Sequence, residues 1–422
     1  MEQHTAAGPL ADIRVLELTD EKGQYCGKLM ADMGADVIKV EPPGGDGARR
    51  VGPFVDDVPG PDRSLYFWHY NTSKRGVTLH LGTPQGRQIF TELARRADIV
   101  LESQQSGYLE GLGLGWSALS QINPRQIMTS ITPFGQTGPW RDFLASDLVS
   151  LAAGGPMASS GYDHLPDSPP SRGLWDNAYQ IGCHYAFVGT LVALFDRDRI
   201  GQGQYVDVSI HEACSGTTEG AFPQWEYFQK VVLRQTGRHA AATPTPPWQI
   251  LCTDGIYINV FGGLPRSQES WRLLLQWMAS EGMAEDLLDE KYADLGKFRQ
   301  FGARSDETDH IIAVITRFVQ AHTSEEIYHG AQNRGLPWGV VRSPEETLQD
   351  PHWWDRGFFQ KVYHPDLGRE ITYPGAPYRF STTPWALRRL APKLGEHNLE
   401  VFHEDLGIPK AQLVALAEAG VI

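Results

Sequence analysis

The first forty residues constrain the fold more than any other part of the chain. Residues 12–18 predict a strand, residues 25–33 a helix that ends at Gly34, and residues 35–40 a second strand. A crossover this short, with a helix between the strands, predicts a parallel pair in a doubly wound α/β sheet. The loop at residues 19–24 lacks the spacing GxGxxG, so it does not support a nicotinamide dinucleotide site.

Strands and helices continue to alternate beyond this unit. Further strands are predicted at residues 77–81, 98–101 and 126–131. A chain of 422 residues exceeds the usual size of one core, so a second domain is expected. The composition changes after residue 215, and we predict a linker with a mobile loop at residues 216–248 and a smaller α+β domain at residues 249–340.

The composition limits the possible binding partners of the chain and its cellular compartment. The formal net charge of −14 argues against nucleic acid as the main partner, because that partner requires a basic face. Four widely spaced cysteines without a CxxC pair argue against a metal cluster or a disulfide framework and fit a reducing, cytoplasmic environment. The sequence shows no apolar run of membrane-spanning length and no signal-peptide core, so no membrane partner is expected.

In open α/β sheets, functional loops follow the carboxyl ends of strands. By this rule the loops at residues 19–24, 41–50, 102–107 and 132–139 converge on one crevice. Three cations lie on elements that flank these loops, and we expect them to meet the phosphates of a ligand: Lys39, Lys74 and Arg75. The alternative for each is an ordinary solvated charge.

A second feature is the corner that joins a Pro-rich loop to the long apolar helix at residues 178–195. The corner carries one carboxylate, Asp176, and one phenol, Tyr179, about a helical turn apart. The start of a helix offers free backbone N–H groups. Asp176 is therefore either a nucleophile or an N-cap whose side chain accepts the N–H of Ala178 or Tyr179.

The ordered motifs of the chain closely resemble the class III coenzyme A transferases (the CaiB/BaiF family, which includes formyl-CoA and carnitine CoA-transferases). The resemblance covers nearly the whole chain. It rests on ADMGADVIKVEPPG (31–44), NTSKRGVTL (71–79), LGLGW (112–116), FGQTGP (134–139), GQGQYVDVS (201–209), RSPEE (342–346), RGFF (356–359), YPGAP (373–377) and LGEH (394–397).

This resemblance implies a fold and an assembly. It implies a Rossmann-like large domain made from both chain ends, residues 1–215 and 341–422, with the small domain between them. It also implies an interlocked dimer, formed with itself or with a homologous sister subunit. Gln136, in the loop FGQTGP, joins the three cations above as an expected contact of CoA.

The resemblance also implies a chemistry. An Asp carboxylate attacks an acyl-CoA thioester and forms a mixed anhydride, CoA thiolate then forms an enzyme–CoA thioester, and an acceptor carboxylic acid reverses the steps. Backbone N–H groups of a glycine-rich loop stabilise the oxyanions. The substrates are acyl-CoA and a carboxylic acid, and no metal is needed.

Three segments depart from the family pattern. Counted back without gaps from Gly189, the family nucleophile falls on Tyr179, and Asp176 lies about one turn earlier. A phenol cannot replace a carboxylate in anhydride chemistry. The loop at residues 20–24 is one residue shorter than usual, and residues 102–107 replace a family segment that touches CoA.

These departures leave three hypotheses. The first is a subunit without its own catalytic Asp in a heteromeric CoA-transferase of the benzylsuccinate type. The second is a self-sufficient CoA-transferase that uses Asp176. The third is a non-enzymatic protein that binds acyl-CoA or acts as a scaffold. The sequence does not identify the acyl group or the acceptor.

Overall fold

The structure is a computed structural model that describes residues 8–165, 167–218, 220–246, 248–260, 264–265, 267–298 and 305–422. The described residues form two compact units. The large unit contains the residues up to Gly155, Gly173–Thr217 and His352–Ile422, and the small unit contains Pro156–Arg172 and Thr218–Pro351. Residues 156–172 thus group with the small unit, whereas the sequence placed all of 1–215 in the large domain. The functional domain boundaries stay a prediction.

The elements alternate as the sequence predicts for an α/β chain. The strands are β1 Arg14–Leu18, β2 Asp36–Glu41, β3 Arg75–Thr78, β4 Ile99–Glu102, β5 Ile127–Thr132, β6 Tyr205–Ser209, β7 Gln249–Leu251, β8 Tyr257–Asn259, β9 Gly339–Val340, β10 Phe359–His364 and β11 Arg369–Pro374. The α-helices are α1 Gln24–Asp32, α2 Leu65–Tyr70, α3 Pro84–Arg95, α4 Tyr108–Gly111, α5 Trp116–Ile122, α6 Asp147–Ala153, α7 Asn177–Ile200, α8 Ile210–Gly216, α9 Ala221–Phe228, α10 Gln268–Ser280, α11 Asp306–Gln320, α12 Ser324–Gln332, α13 Pro344–Thr347, α14 Pro351–Asp355 and α15 Lys410–Glu418.

Six strands form the central sheet of the large unit in the order β3-β2-β1-β4-β5-β6. Every neighbouring pair is parallel. The predicted doubly wound α/β fold is therefore confirmed. The strand order reverses between β1 and β4, and ligands of such sheets bind beyond the carboxyl ends of the strands at this switch point.

The core of the large unit explains why both chain ends belong to it. Strands β2, β4 and β5 are buried along most of their length, as expected for a sheet covered on both faces. Helix α3 begins at a Thr83 cap followed by Pro84, and its buried face packs into this core through Phe90. Val401 and Phe402 belong to the same cluster, so the C-terminal segment is part of the core.

The C-terminal segment also covers the edge strand β3. The Gly76 N–H donates to His397 Nδ1 (3.1 Å), and the Thr78 N–H donates to Asn398 Oδ1 (2.9 Å). The His397 N–H in turn donates to the Gly76 carbonyl. An uncovered edge strand invites pairing with other chains, and these bonds remove that possibility at β3.

The small unit combines a short antiparallel sheet with helices. Strands β7 and β8 form a hairpin, which turns at Gly255 with a positive φ of 78°, and β9 pairs with β8. Its core holds Trp271 of α10 and Phe318 of α11, both almost fully buried. The small unit is therefore an α+β body with a core of its own.

Helix α7 is the one helix of the described residues that is long and apolar enough to span a membrane by length and composition. The sequence did not single it out, because no uninterrupted apolar run is that long. Within its most apolar window 44% is buried, and the helix contacts β5, β6 and α8 of the large unit. These contacts are typical of a helix that packs in the core of a domain.

Candidate active site

The switch point of the sheet lies between the loop after β1 and the loop after β4. The Asp20 N–H donates to Ser103 Oγ (2.9 Å), and the Ser103 hydroxyl donates back to Asp20 Oδ1 (2.8 Å). The two loops are therefore joined by a reciprocal pair of hydrogen bonds.

Lys39 and Lys74 lie behind this point in a buried charge network. Both ammonium groups are fully buried. Lys74 Nζ lies 2.8 Å from both carboxylate oxygens of Glu17, and Lys39 Nζ lies 2.7 Å from Asp46 and 3.7 Å from Glu17. Burial lowers the pKa of Lys74 to about 8, whereas for Lys39 the burial is outweighed by Asp46 and Glu17, which raise its pKa. We expected from the sequence that these cations would face the phosphates of a ligand. In the structure both are buried and paired with carboxylates of the protein.

Arg75 lies away from the crevice. Its guanidinium pairs with Asp36, the first residue of β2, at 2.7 Å and with Asp405 at 2.9 Å. Asp36 also binds Arg14, the first residue of β1. Arg75 therefore forms ion pairs at the amino-terminal ends of the strands, opposite the switch point. Binding of CoA by the three cations stays a prediction, and their ion pairs favour a structural role.

Gln136 does lie on the crevice side, in the loop after β5. Its side-chain amide donates to Glu102 Oε1 (3.2 Å) and accepts the Gly107 N–H (3.3 Å), and its backbone N–H donates to Asp207. Gln136 thus ties the loops after β4 and β5 to each other. Its role as a contact of CoA remains a prediction.

Glu102, at the end of β4, is a buried carboxyl group with few charged partners. Burial raises its pKa to about 7, and hydrogen bonds from Ser130 and the Gln104 N–H offset only part of that effect. The charged form is therefore disfavoured in the folded protein.

The Glu102→Gln variant should show how this pKa affects stability. A folded pKa above the unfolded value means that stability is lost as the pH rises through the range from about 4.5 to 7. Glu102→Gln should therefore gain up to about 3 kcal/mol of unfolding free energy relative to wild type between pH 4 and pH 8. Urea unfolding at both pH values measures this difference. The exposed Glu92→Gln change is the control, and a gain that is the same at both pH values would contradict the prediction.

The corner before α7 differs from the expected N-cap. Asp176 occupies the N-cap position, but its side chain makes no capping bond. Instead Asp147, the first residue of α6, accepts the N–H of Ala178 (2.7 Å) and of Tyr179 (3.4 Å). Asp176 accepts a hydrogen bond from the Tyr66 hydroxyl. The expectation that Asp176 caps its own helix is therefore wrong, because a carboxylate from another helix already occupies the helix N-terminus.

Tyr179 is buried in the first turn of α7. Burial raises the pKa of its phenol, and the nearby carboxylates Glu21, Asp147 and Asp20 raise it further. The phenol therefore stays protonated at neutral pH. A protonated phenol among carboxylates can donate a hydrogen bond, but it cannot form an anhydride with an acyl group.

Three residues of this region were not found by sequence reasoning: Glu17, Tyr66 and Asp147. The sequence did contain a signal for Asp147, since Ser146-Asp147 precedes an apolar helix as helix starts do. Its contact across 31 residues to α7 had no sequence signal. In the part of the chain that the structure describes, no group of three or more His, Cys, Asp or Glu residues is arranged to hold a metal ion.

Comparison with known proteins identifies the family of this site. The family model "CoA-transferase family III" matches residues 10–398. The chain belongs to CoA-transferase family III. Members of this family are enzymes that act on CoA thioesters, and this chain moves CoA between an acyl-CoA and a carboxylic acid as part of such an enzyme.

Several relatives of family III are similar over nearly their whole length. The succinyl-CoA:(R)-benzylsuccinate CoA-transferase subunit BbsE of Thauera aromatica is 37% identical, covering 97% of both chains. The succinyl-CoA–D-citramalate CoA-transferase of Chloroflexus aurantiacus is 33% identical (98% of both chains), and the beta subunit of the succinyl-CoA–L-malate CoA-transferase of the same organism is 31% identical (100% of both). A crystal structure of a CaiB/BaiF family protein from Brucella suis matches with a TM-score of 0.78 and 27% identity, covering 94% of this chain and 99% of that one.

Proposed function

We propose that this chain is the subunit without the nucleophile in a heteromeric family III CoA-transferase, and that a homologous sister subunit supplies the catalytic Asp. The observation that carries the proposal is Tyr179, a buried and protonated phenol at the position that the family resemblance assigns to the nucleophile. The neighbouring Asp176 is engaged by Tyr66. Two of the relatives above are themselves named as subunits.

The sister subunit needs a surface on which to dock. An apolar stripe follows one face of α7 at helical spacing, formed by Tyr185, Val188, Val192 and Phe195, all of them exposed. Exposed contiguous apolar surface marks contact sites. We propose that the sister subunit covers this stripe in an interlocked dimer in the cytoplasm.

The relatives also suggest the substrates. Their names share succinyl-CoA as the CoA donor and differ in the acceptor acid. We propose succinyl-CoA as the donor, and benzylsuccinate or a similar substituted succinate as the acceptor, since the 37% identical relative is named for it.

The test is a transfer assay with the chain alone and with its sister. From succinyl-CoA and benzylsuccinate, the pair should form benzylsuccinyl-CoA, and the chain alone should be slower by at least about 100-fold, which corresponds to roughly 3 kcal/mol of barrier. In the pair, Asp176→Asn should change the rate by less than about twofold. Replacing the sister's aligned Asp by Asn should abolish turnover. Transfer by the chain alone at the rate of the pair would contradict the proposal. Loss of that transfer in the Asp176→Asn chain would then identify a self-sufficient enzyme that uses Asp176.

A further inference from the structure

The two loops that flank the switch point are also two of the segments in which the sequence departs from its family. One contains Asp20 after β1, and the other begins at Ser103 after β4. The reciprocal hydrogen bonds between these two residues, at 2.9 and 2.8 Å, mean that the two departures contact each other. Ser103 is fully buried, so water does not compete for these bonds.

Asp20 is held rigidly on its own side of the crevice. Its carboxylate accepts the Lys22 N–H (3.0 Å) and forms an ion pair with the Lys22 ammonium. Its carbonyl accepts the N–H groups of Gly23 and Gln24, at the start of α1. The side chain therefore has no freedom to move aside while the bonds to Ser103 persist.

The charge at this point also opposes an anionic ligand. The next residue, Glu21, is half-buried beside Asp20. Burial, as the main cause, and the neighbouring Asp20 raise the pKa of Glu21, although Lys22 partly offsets them, so the charged form of Glu21 is disfavoured. CoA carries several phosphate charges and would have to approach these two carboxylates.

We propose that Asp20 and Ser103 form a latch that keeps CoA out of the switch-point crevice of this chain. The latch determines which subunit binds the cofactor: in the pair, only the sister's crevice takes CoA. This inference rests on the proposed function, and it adds the two residues that prevent CoA binding here.

The experiment counts CoA sites by calorimetric titration of CoA into the purified pair. Wild type should bind one CoA per pair. Ser103→Ala removes both latch bonds, and Asp20→Ala/Ser103→Ala also removes the charge; each should add a second site with a Kd below about 1 mM. Ser106→Ala is the matched control, because Ser106 lies on the same loop but bonds to the Gly135 carbonyl. It should keep one site.

Two results would overturn the latch. The first is a second CoA site in the wild-type pair. The second is a single site in both variants although their thermal unfolding matches that of the control. Neither result concerns the transfer assay, so the latch can fail while the sister remains the catalytic subunit. Conversely, transfer by the chain alone would refute the proposed function whatever the number of CoA sites.

Discussion

Glu17→Gln should destabilise the large unit by about 3–5 kcal/mol, because it removes the counter-charge of a fully buried lysine. Lys74 Nζ lies 2.8 Å from the Glu17 carboxylate, and its other contacts are the neutral oxygens of Asn71 and Gln24. Lys39 loses one of its two carboxylate partners but keeps Asp46 and its bond to the Thr19 carbonyl. Urea unfolding, with hydrogen exchange followed on peptides from β1, reports the loss for this unit separately from the small one.

The control for Glu17→Gln is the same substitution at an exposed ion pair. Glu92 and Arg95 lie 3.4 Å apart on α3, with side chains 47% and 53% exposed. Exposed pairs contribute less than about 1 kcal/mol, so Glu92→Gln should barely change the unfolding midpoint. Equal losses in the two variants would show that the buried network contributes no more than a surface pair.

Arg49→Lys should cost about 2–4 kcal/mol, although it preserves the charge. The guanidinium binds both oxygens of Glu41 at 2.6 and 2.7 Å, and it lies 3.8 Å from the centre of the Phe67 ring. It also donates to the carbonyl of Pro392, far along the chain. A lysine ammonium cannot make the bidentate contact and the other bonds at once.

The Arg49→Lys variant should also loosen the C-terminal segment. Loss of the bond to Pro392 removes one anchor of this segment, so limited proteolysis near residue 392 should become faster. Arg95→Lys, on the surface of α3, is the matched control and should change neither property. Unchanged proteolysis in Arg49→Lys, with an unchanged unfolding midpoint, would contradict the role of Arg49 as an anchor.

The sequence predicted the sheet well because the relevant signals are local. Apolar runs, the glycine that ends the first helix and the short crossover all act within about forty residues, and the parallel pairing of β1 with β2 follows from them. The ordered motifs then predicted the family, which the comparison confirms. Neither inference requires knowledge of contacts between distant residues.

The charged residues of the site were predicted less well, because their partners are distant in sequence. Lys39 stands in the middle of a strand, and only the completed sheet shows that both faces of this strand are covered. Asp176 was expected to cap α7, but the cap comes from Asp147 on another helix. A carboxylate at a helix start is a common local signal for an N-cap. In the folded protein Asp147, and not Asp176, accepts the N–H groups at the start of α7.

The cover over β3 has a consequence for synthesis of the protein on the ribosome. Thr78 and the Asn398 side chain that receives its N–H are separated by 320 residues. At about 5–20 residues per second, roughly 15–60 seconds pass between the emergence of the strand and that of its cover. During this interval the small unit is made while β3 remains an open edge. An open edge strand invites pairing with other chains, so β3 is exposed to such pairing until His397 and Asn398 have been made.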